Sequence, residues 1–309
     1  MHGMKLPAVS DAVFERWDVE RGECDAMKHS PGPVELAGGS FRRMAFPPER
    51  RLVLDTLHMG HRKPMMHGML ELDVTRARRL LREHRERTGE SLSFTAFVLA
   101  CLGRAVAAHP EVHALRDWRG RVVLFDDVDA TTMVEVEVED RQFALARVLR
   151  GINRRCVRNI NDEIRSIQEA GMTSLPAGLR NGSRFFLRMP GFLRRLIVRL
   201  LLCSPRSTRR HTGTLLVTAV GMFGGGAGWG FSAPGIHNLS VVIGGIATRA
   251  PETPTESNPR EVLCLTVSAN HEVVDGAPLA RFVRKFREQI EAADLLFDAI
   301  ETSAGPAGS

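Results

Sequence analysis

An α/β fold built on a mixed β-sheet packed with helices is predicted by three observations on this sequence. Apolar runs of strand length (GTLLVTAVGMF, HNLSVVIGGIA, EVLCLTVSAN) share the chain with longer segments of helical periodicity. Within 213–270 some strand-to-strand connections are too short to hold a helix, so antiparallel neighbours are expected beside parallel ones. No internal repeat and no clear linker interrupts residues 41–298, which read as one domain.

Residues 1–40 are polar and rich in turn formers (RGECDAMKHSPGPVELAGGS) and read as an N-terminal arm. RRLVLDTLHMG is expected to be helical and MMHGMLELDVT a strand. TRARRLLREHRER predicts a short charged helix, with Thr75 as its cap. SFTAFVLACLGRAVAAHPE, nearly continuous in apolar residues and strong helix formers, predicts a buried helix that Pro110 ends. VVLFDDVDATTMVEVEVED supplies two strands. In the second, Val134, Val136 and Val138 alternate with Glu135, Glu137 and Glu139, the period of a half-buried strand. Residues 152–169 are helical again. The last helix, APLARFVRKFREQIEAA, should bury Leu279, Phe282, Val283, Phe286 and Ile290 on one face. Residues 299–309 read as a tail.

Composition narrows the function classes. Apolar content of 43% and charged content of 25% are those of a soluble globular protein. The net charge of +6 rests on arginine, since lysine occurs only at 5, 28, 63 and 285. Those arginines are spread along the chain without interleaved aromatics, so no nucleic-acid partner is expected. Five well-separated cysteines form neither a disulfide framework nor a CxxC motif, which suits a reducing cytoplasm. Neither a signal peptide nor a spanning segment is found.

The segment 184–203, RFFLRMPGFLRRLIVRLLLC, is broken at Pro190 and Gly191. On a helical wheel Arg188, Arg195 and Arg199 fall near one line amid apolar residues. The preferred expectation is a helix buried against the sheet or a sister subunit, its arginine stripe turned to water. The alternative is weak contact with a membrane surface.

Several residue groups could suggest chemistry. His58, His61 and His67 have a spacing open to a metal, but no cysteine or carboxylate pattern joins them, and no bound metal is expected. Glu135, Glu137 and Glu139 read as a solvated strand face. His109 and His113 read as structural. GMFGGGAGWG lacks the ending of a phosphate-binding loop and reads as a tight turn between strands. In ANHEVVDGAPLARF, Asp275 stands where a helix N-cap is wanted and Gly276 eases the turn, which leaves His271 unexplained by structure.

His-x-x-x-Asp-Gly, after an apolar strand and before an amphipathic helix, resembles the active-site signature of the 2-oxo acid dehydrogenase acyltransferase catalytic domain, a relative of chloramphenicol acetyltransferase. Residues 65–117 resemble that family's first strand and first two helices in order. GTLLVTAVGMFGG resembles its central strand, and VSANHEVVDGAPLARFVRKFREQIE its closing strand, motif and helix. The resemblance runs over about 41–295, weakly in the middle. It implies a chloramphenicol acetyltransferase-like fold and a homotrimer with sites between subunits. It also implies coenzyme A or an acyl-CoA as substrate and a thiol, hydroxyl or amine acceptor. By resemblance His271 is the general base, Thr218 the oxyanion donor, and Asp275 the residue that holds the motif's shape.

There are departures. The family's Asp-His-Arg is here Asn270-His271-Glu272. Before residue 41 no Asp-Lys-Ala lipoyl-lysine motif is found, so no lipoyl attachment site is expected in this chain. A lipoyl group, if used, would come from a partner protein in trans. Two other readings remain open: a non-catalytic trimeric assembly protein of the same fold, and a membrane-associated acyltransferase acting on lipid-like substrates.

Overall fold

The computed structural model describes residue 46 and residues 50–138, 141–171, 186, 189–221, 226–250 and 259–301. The chain separates into units 1–46 and 47–309, and the described helices and strands lie in the second. The expected arm, Glu139, Arg188 and the end of the expected tail lie outside the described residues.

Helix α1 (Arg50–Gly60) leads into strand β1 (Met65–Asp73), followed by α2 (Thr75–Thr88) and α3 (Phe94–Ala108). A short hairpin, β2 (Leu115–Arg116) and β3 (Val122–Val123), precedes the long antiparallel pair β4 (Ala130–Val138) and β5 (Arg141–Leu149). Among the described residues α4 (Val157–Ala170), α5 (Gly191–Leu201) and α6 (Pro205–Thr212) follow. Strands β6 (Leu215–Ala219), β7 (Leu239–Arg249) and β8 (Arg260–Asn270) complete the sheet, and α7 (Gly276–Ala292) and α8 (Asp294–Glu301) close the chain.

The six-stranded sheet has the order β1-β8-β7-β6-β4-β5. Strand β6 runs parallel to both β4 and β7, while β7–β8, β1–β8 and β4–β5 are antiparallel. The mixed sheet predicted from short connections is therefore present. Helix α3 packs against α7 and α4 over this sheet. Its run from Ala96 to Gly103 is buried without interruption, as its composition predicts. Ser93 caps it: the hydroxyl accepts from the Ala96 N–H at 3.4 Å, and the Ser93 N–H donates to Asn161 Oδ1 of α4 at 2.9 Å. Leu279, Phe282, Phe286 and Ile290 of α7 are buried as expected, and Val283 packs half-buried beside them.

Several expectations need correction. Thr75 is not the cap of α2. Val74 takes that position, and the Thr75 hydroxyl instead accepts the Glu261 N–H at 2.8 Å, tying the helix start to β8. Strand β5 was not foreseen, because RQFALARVL follows the charged turn that would otherwise end a strand. Helix α8 runs on to Glu301 and buries Ala299 and Ile300, so the expected tail loses its first three residues to the helix. Of the arginine stripe expected to face water, Arg199 is exposed and Arg195 partly so, but the apolar face expected to be buried is not: Phe192, Leu196 and Leu200 are exposed, and the buried residue of α5 is Arg194.

The glycine-rich loop does what a close-packed turn requires. A Cβ at Gly221 would lie 1.8 Å from the Gly244 carbonyl oxygen, and one at Gly245 only 1.9 Å from that of Gly226. The two backbones meet where the β7–β8 register shifts between Ile243 and Ile246. The next segment lies against the sheet: Trp229 Nε1 donates to the Leu70 carbonyl at 3.3 Å, and the Ser232 and Ser240 hydroxyls meet at 2.8 Å.

Candidate active site

Strand β8 carries the motif to the rim of the sheet. Its last residue, Asn270, has its backbone N–H on the Asn238 carbonyl, and the chain then turns through 271–273 into α7. The His271 N–H donates to the Pro64 carbonyl at 2.8 Å, so the histidine backbone is held to the segment leading into β1. The imidazole is half-exposed, and its Nδ1 lies 3.5 Å from Asp275 Oδ1. Asp275 occupies the N-cap position of α7, but its carboxylate makes no cap hydrogen bond. The capping role expected from sequence is thus not the one its side chain plays. At 3.5 Å the pair is longer than a formed hydrogen bond, and the exposed carboxylate faces the imidazole nitrogen electrostatically.

The flanking residues of the motif point elsewhere. Asn270 is buried, its amide Nδ2 donating 3.2 Å to Asn238 Oδ1 and its Oδ1 accepting the Glu272 N–H at 3.1 Å. Lys63 joins the cluster: its ammonium donates to Asn238 Oδ1 at 3.0 Å and also to the Ile236 carbonyl. Burial pulls the Lys63 ammonium down to about 8, and the Glu272 carboxylate opposes that shift. A cleft of about 370 Å³ opens here, with Lys63, Asn270 and Glu272 on its walls together with Leu202 and Cys203.

Thr218 lies near the end of β6, half-buried, in register with Val242 of β7. It lines a cleft of about 570 Å³ with Ser91, Ser93, Met133, Arg165 and Gln168. Its hydroxyl makes no hydrogen bond with the described residues and is available to a ligand. Sequence reading did not reach these cleft residues, since they come from four separate elements. Val134 and Glu135, whose alternation marks β4, carried a local signal.

His271 does not line the cleft of Thr218. Thr218 pairs with Val242 and Val242 with Thr266, five residues before His271. With a rise of ~3.3 Å per residue and ~4.8 Å between strands, the two backbone positions stand roughly 17 Å apart along the sheet and roughly 10 Å across it. One chain does not bring the expected base and oxyanion donor together.

The remaining candidates have structural partners. His58 and His61 bond to backbone carbonyls of α1, and His67 Nδ1 meets the Ser268 hydroxyl at 2.7 Å across the β1–β8 pair. Among the described residues no group of three or more metal-ligating side chains occurs. His113 is fully buried, with Nδ1 2.9 Å from the Thr214 hydroxyl and Nε2 3.3 Å from the Phe125 carbonyl. No helix among the described residues is long and apolar enough to cross a membrane.

Residues 205–297 match the family model of the 2-oxoacid dehydrogenases acyltransferase (catalytic domain). No curated protein matches the chain in sequence. Among solved structures, the dihydrolipoamide acetyltransferase of Azotobacter vinelandii superposes with a TM-score of 0.62 at 14% identity, covering 87% of this chain and 99% of its own. A catalytic core of the 2-oxoacid dehydrogenase multienzyme complex from Thermoplasma acidophilum gives 0.57 at 19% identity, with 81% and 98% covered. A probable dihydrolipoamide acetyltransferase of Listeria monocytogenes gives 0.59 at 16%, with 83% and 96% covered. The motif strand and helix lie inside the segment that matches the acyltransferase model, and the chain shares its fold with these acetyltransferase cores.

Proposed function

We propose that the protein transfers an acyl group between coenzyme A and a thiol, hydroxyl or amine acceptor, at sites formed between subunits of a homotrimer. The observation that carries this reading is the separation of two side chains. His271 and Thr218 stand on different parts of one sheet, each half-exposed and free to face a neighbouring subunit. The Azotobacter enzyme offers a parallel: its catalytic mechanism involves a serine, a histidine and an asparagine, the last two spaced as His271 and Asp275 are.

In the reaction, the His271 imidazole takes the proton of the attacking thiol, which at pKa near 8.5 is mostly protonated at neutral pH. Sulfur then adds to the thioester carbonyl, and the Thr218 hydroxyl donates to the oxyanion that forms. Collapse breaks the original C–S bond, and the proton held by His271 passes to the departing thiolate. Asp275 orients the imidazole through its Nδ1 side. A lipoyl group on another chain is one acceptor of the right chemistry.

Mixing tests the arrangement. His271→Ala and Thr218→Val proteins, each expected to lose at least a hundredfold in acyl transfer from acyl-CoA to dihydrolipoamide, would be unfolded together and reassembled. Sites between subunits would recover up to about a quarter of wild-type activity in an equal mixture, since one site in four receives both intact residues. Loss of activity without recovery would place the site within one chain. Full activity in both variants would remove the roles given to His271 and Thr218, and absence of transfer by the wild-type protein would remove the acyl-transfer reading.

A further inference from the structure

Helix α5 is oriented by a buried ion pair. Arg194 Nε meets Asp55 Oδ2 of α1 at 2.7 Å, with both side chains nearly sealed from solvent, and Arg194 Nη1 donates to the Met189 carbonyl at 2.8 Å. Removing one partner of such a pair leaves a buried unpaired charge, so the pair fixes which face of α5 turns inward. The opposite face is then committed to the outside. It carries Phe192, Leu196 and Leu200, exposed by 68%, 50% and 62%. Their spacing of four places them in one stripe on the helix surface. α1, packed beside α5, exposes Val53 and Leu54 as well.

The charges around this stripe are of one sign. Between residues 189 and 212 there are six arginines and no aspartate or glutamate. Asp55 neutralises Arg194, and Asp127 and Asp129 neutralise Arg209. Arg199, Arg206 and Arg210 are exposed and have no acidic partner among the described residues. On the helical wheel Arg195 and Arg199 fall along one border of the apolar stripe. A homotypic contact through this face would bring cations together, whereas an anionic surface with an apolar interior answers both features.

We propose that α5 is an interfacial helix that seats the protein on an anionic lipid surface. Phe192, Leu196 and Leu200 enter the boundary of the acyl chains, and Arg199, Arg206 and Arg210 lie on headgroup phosphates. The inference is independent of the acyl-transfer reading. Its geometric consequence is that the cleft walled by Leu202, Cys203 and Glu272, directly after α5, opens beside the lipid.

The test is co-sedimentation of the intact protein with vesicles of phosphatidylcholine alone or mixed with phosphatidylglycerol, alongside analytical ultracentrifugation. Retention on the mixed vesicles, weakened by salt and weak on phosphatidylcholine, is expected. Phe192→Ser/Leu196→Ser should cut retention at least tenfold, and Arg199→Gln/Arg206→Gln by roughly 10- to 30-fold. Both should keep the wild-type oligomeric mass. Absence of wild-type retention, or retention indifferent to both double variants, overturns the proposal. So does a drop in oligomeric mass in the serine variant, which would identify the face as a subunit seam.

Discussion

Asn270 Nδ2 and Lys63 Nζ both donate to one atom, Asn238 Oδ1, at 3.2 and 3.0 Å. The Asn238 amide nitrogen in turn donates to the Ala114 carbonyl at 2.9 Å, so its oxygen is held toward the motif. This explains a neutral amide beside His271: position 270 must donate as well as accept. Asn270→Asp removes the donor and places a second acceptor against Asn238 Oδ1. The variant is expected to lose about 1–3 kcal/mol of stability in urea unfolding at pH 7.

The gap between His271 and Asp275 predicts unequal effects on turnover. A carboxylate 3.5 Å from Nδ1 and largely exposed orients the imidazole without sharing its proton. Asp275→Ala should lower kcat less than roughly tenfold, against the 10²-fold or more expected for His271→Ala. Steady-state kinetics on both variants measure the difference. Equal losses would give Asp275 a direct part in proton transfer.

Two glycines make a contrasting pair. Gly221→Ala drives a Cβ into the Gly244 carbonyl, where backbone rather than a flexible side chain must yield. A cost of roughly 1–3 kcal/mol or more is expected. At Gly276 nothing lies within 4 Å of an added Cβ and the φ angle is not positive, so alanine there should be nearly neutral. Thermal melts of both proteins decide the matter.

Burial pushes the His113 imidazole down to about 4, against the opposing pull of the Phe125 carbonyl and the Asp129 carboxylate. An unfolded histidine titrates near 6.5. The folded protein therefore keeps the full contribution above that value and loses it as the pH falls toward 4, by about 3 kcal/mol at most. His237, half-buried and lowered by desolvation to about 4, acts in the same direction. Urea midpoints should fall between pH 7 and pH 5, and His113→Gln should flatten that slope.

Much of the fold was legible because its cues are local. The alternation of Val134 and Glu135, the apolar length of 94–108 and the motif between a strand and a helix all act within a few residues. What escaped the sequence depends on distant partners. Asn270 and Lys63 meet through Asn238, far from either in sequence. Arg194 faces inward because Asp55 waits on a different helix, a partner that the helical wheel of 184–203 does not contain. The catalytic candidates were legible as residue types, while the distance between them became visible only through the strand register.

That register has a consequence for how such a protein could be controlled. Thr218 ends one arm of the sheet and His271 another, so under the proposed arrangement each chain holds the unmatched halves of two different sites. Specific activity then depends on concentration: dilution below the assembly constant silences folded chains without damaging them. Substitutions at the seam would be felt as lost turnover before any change in melting temperature.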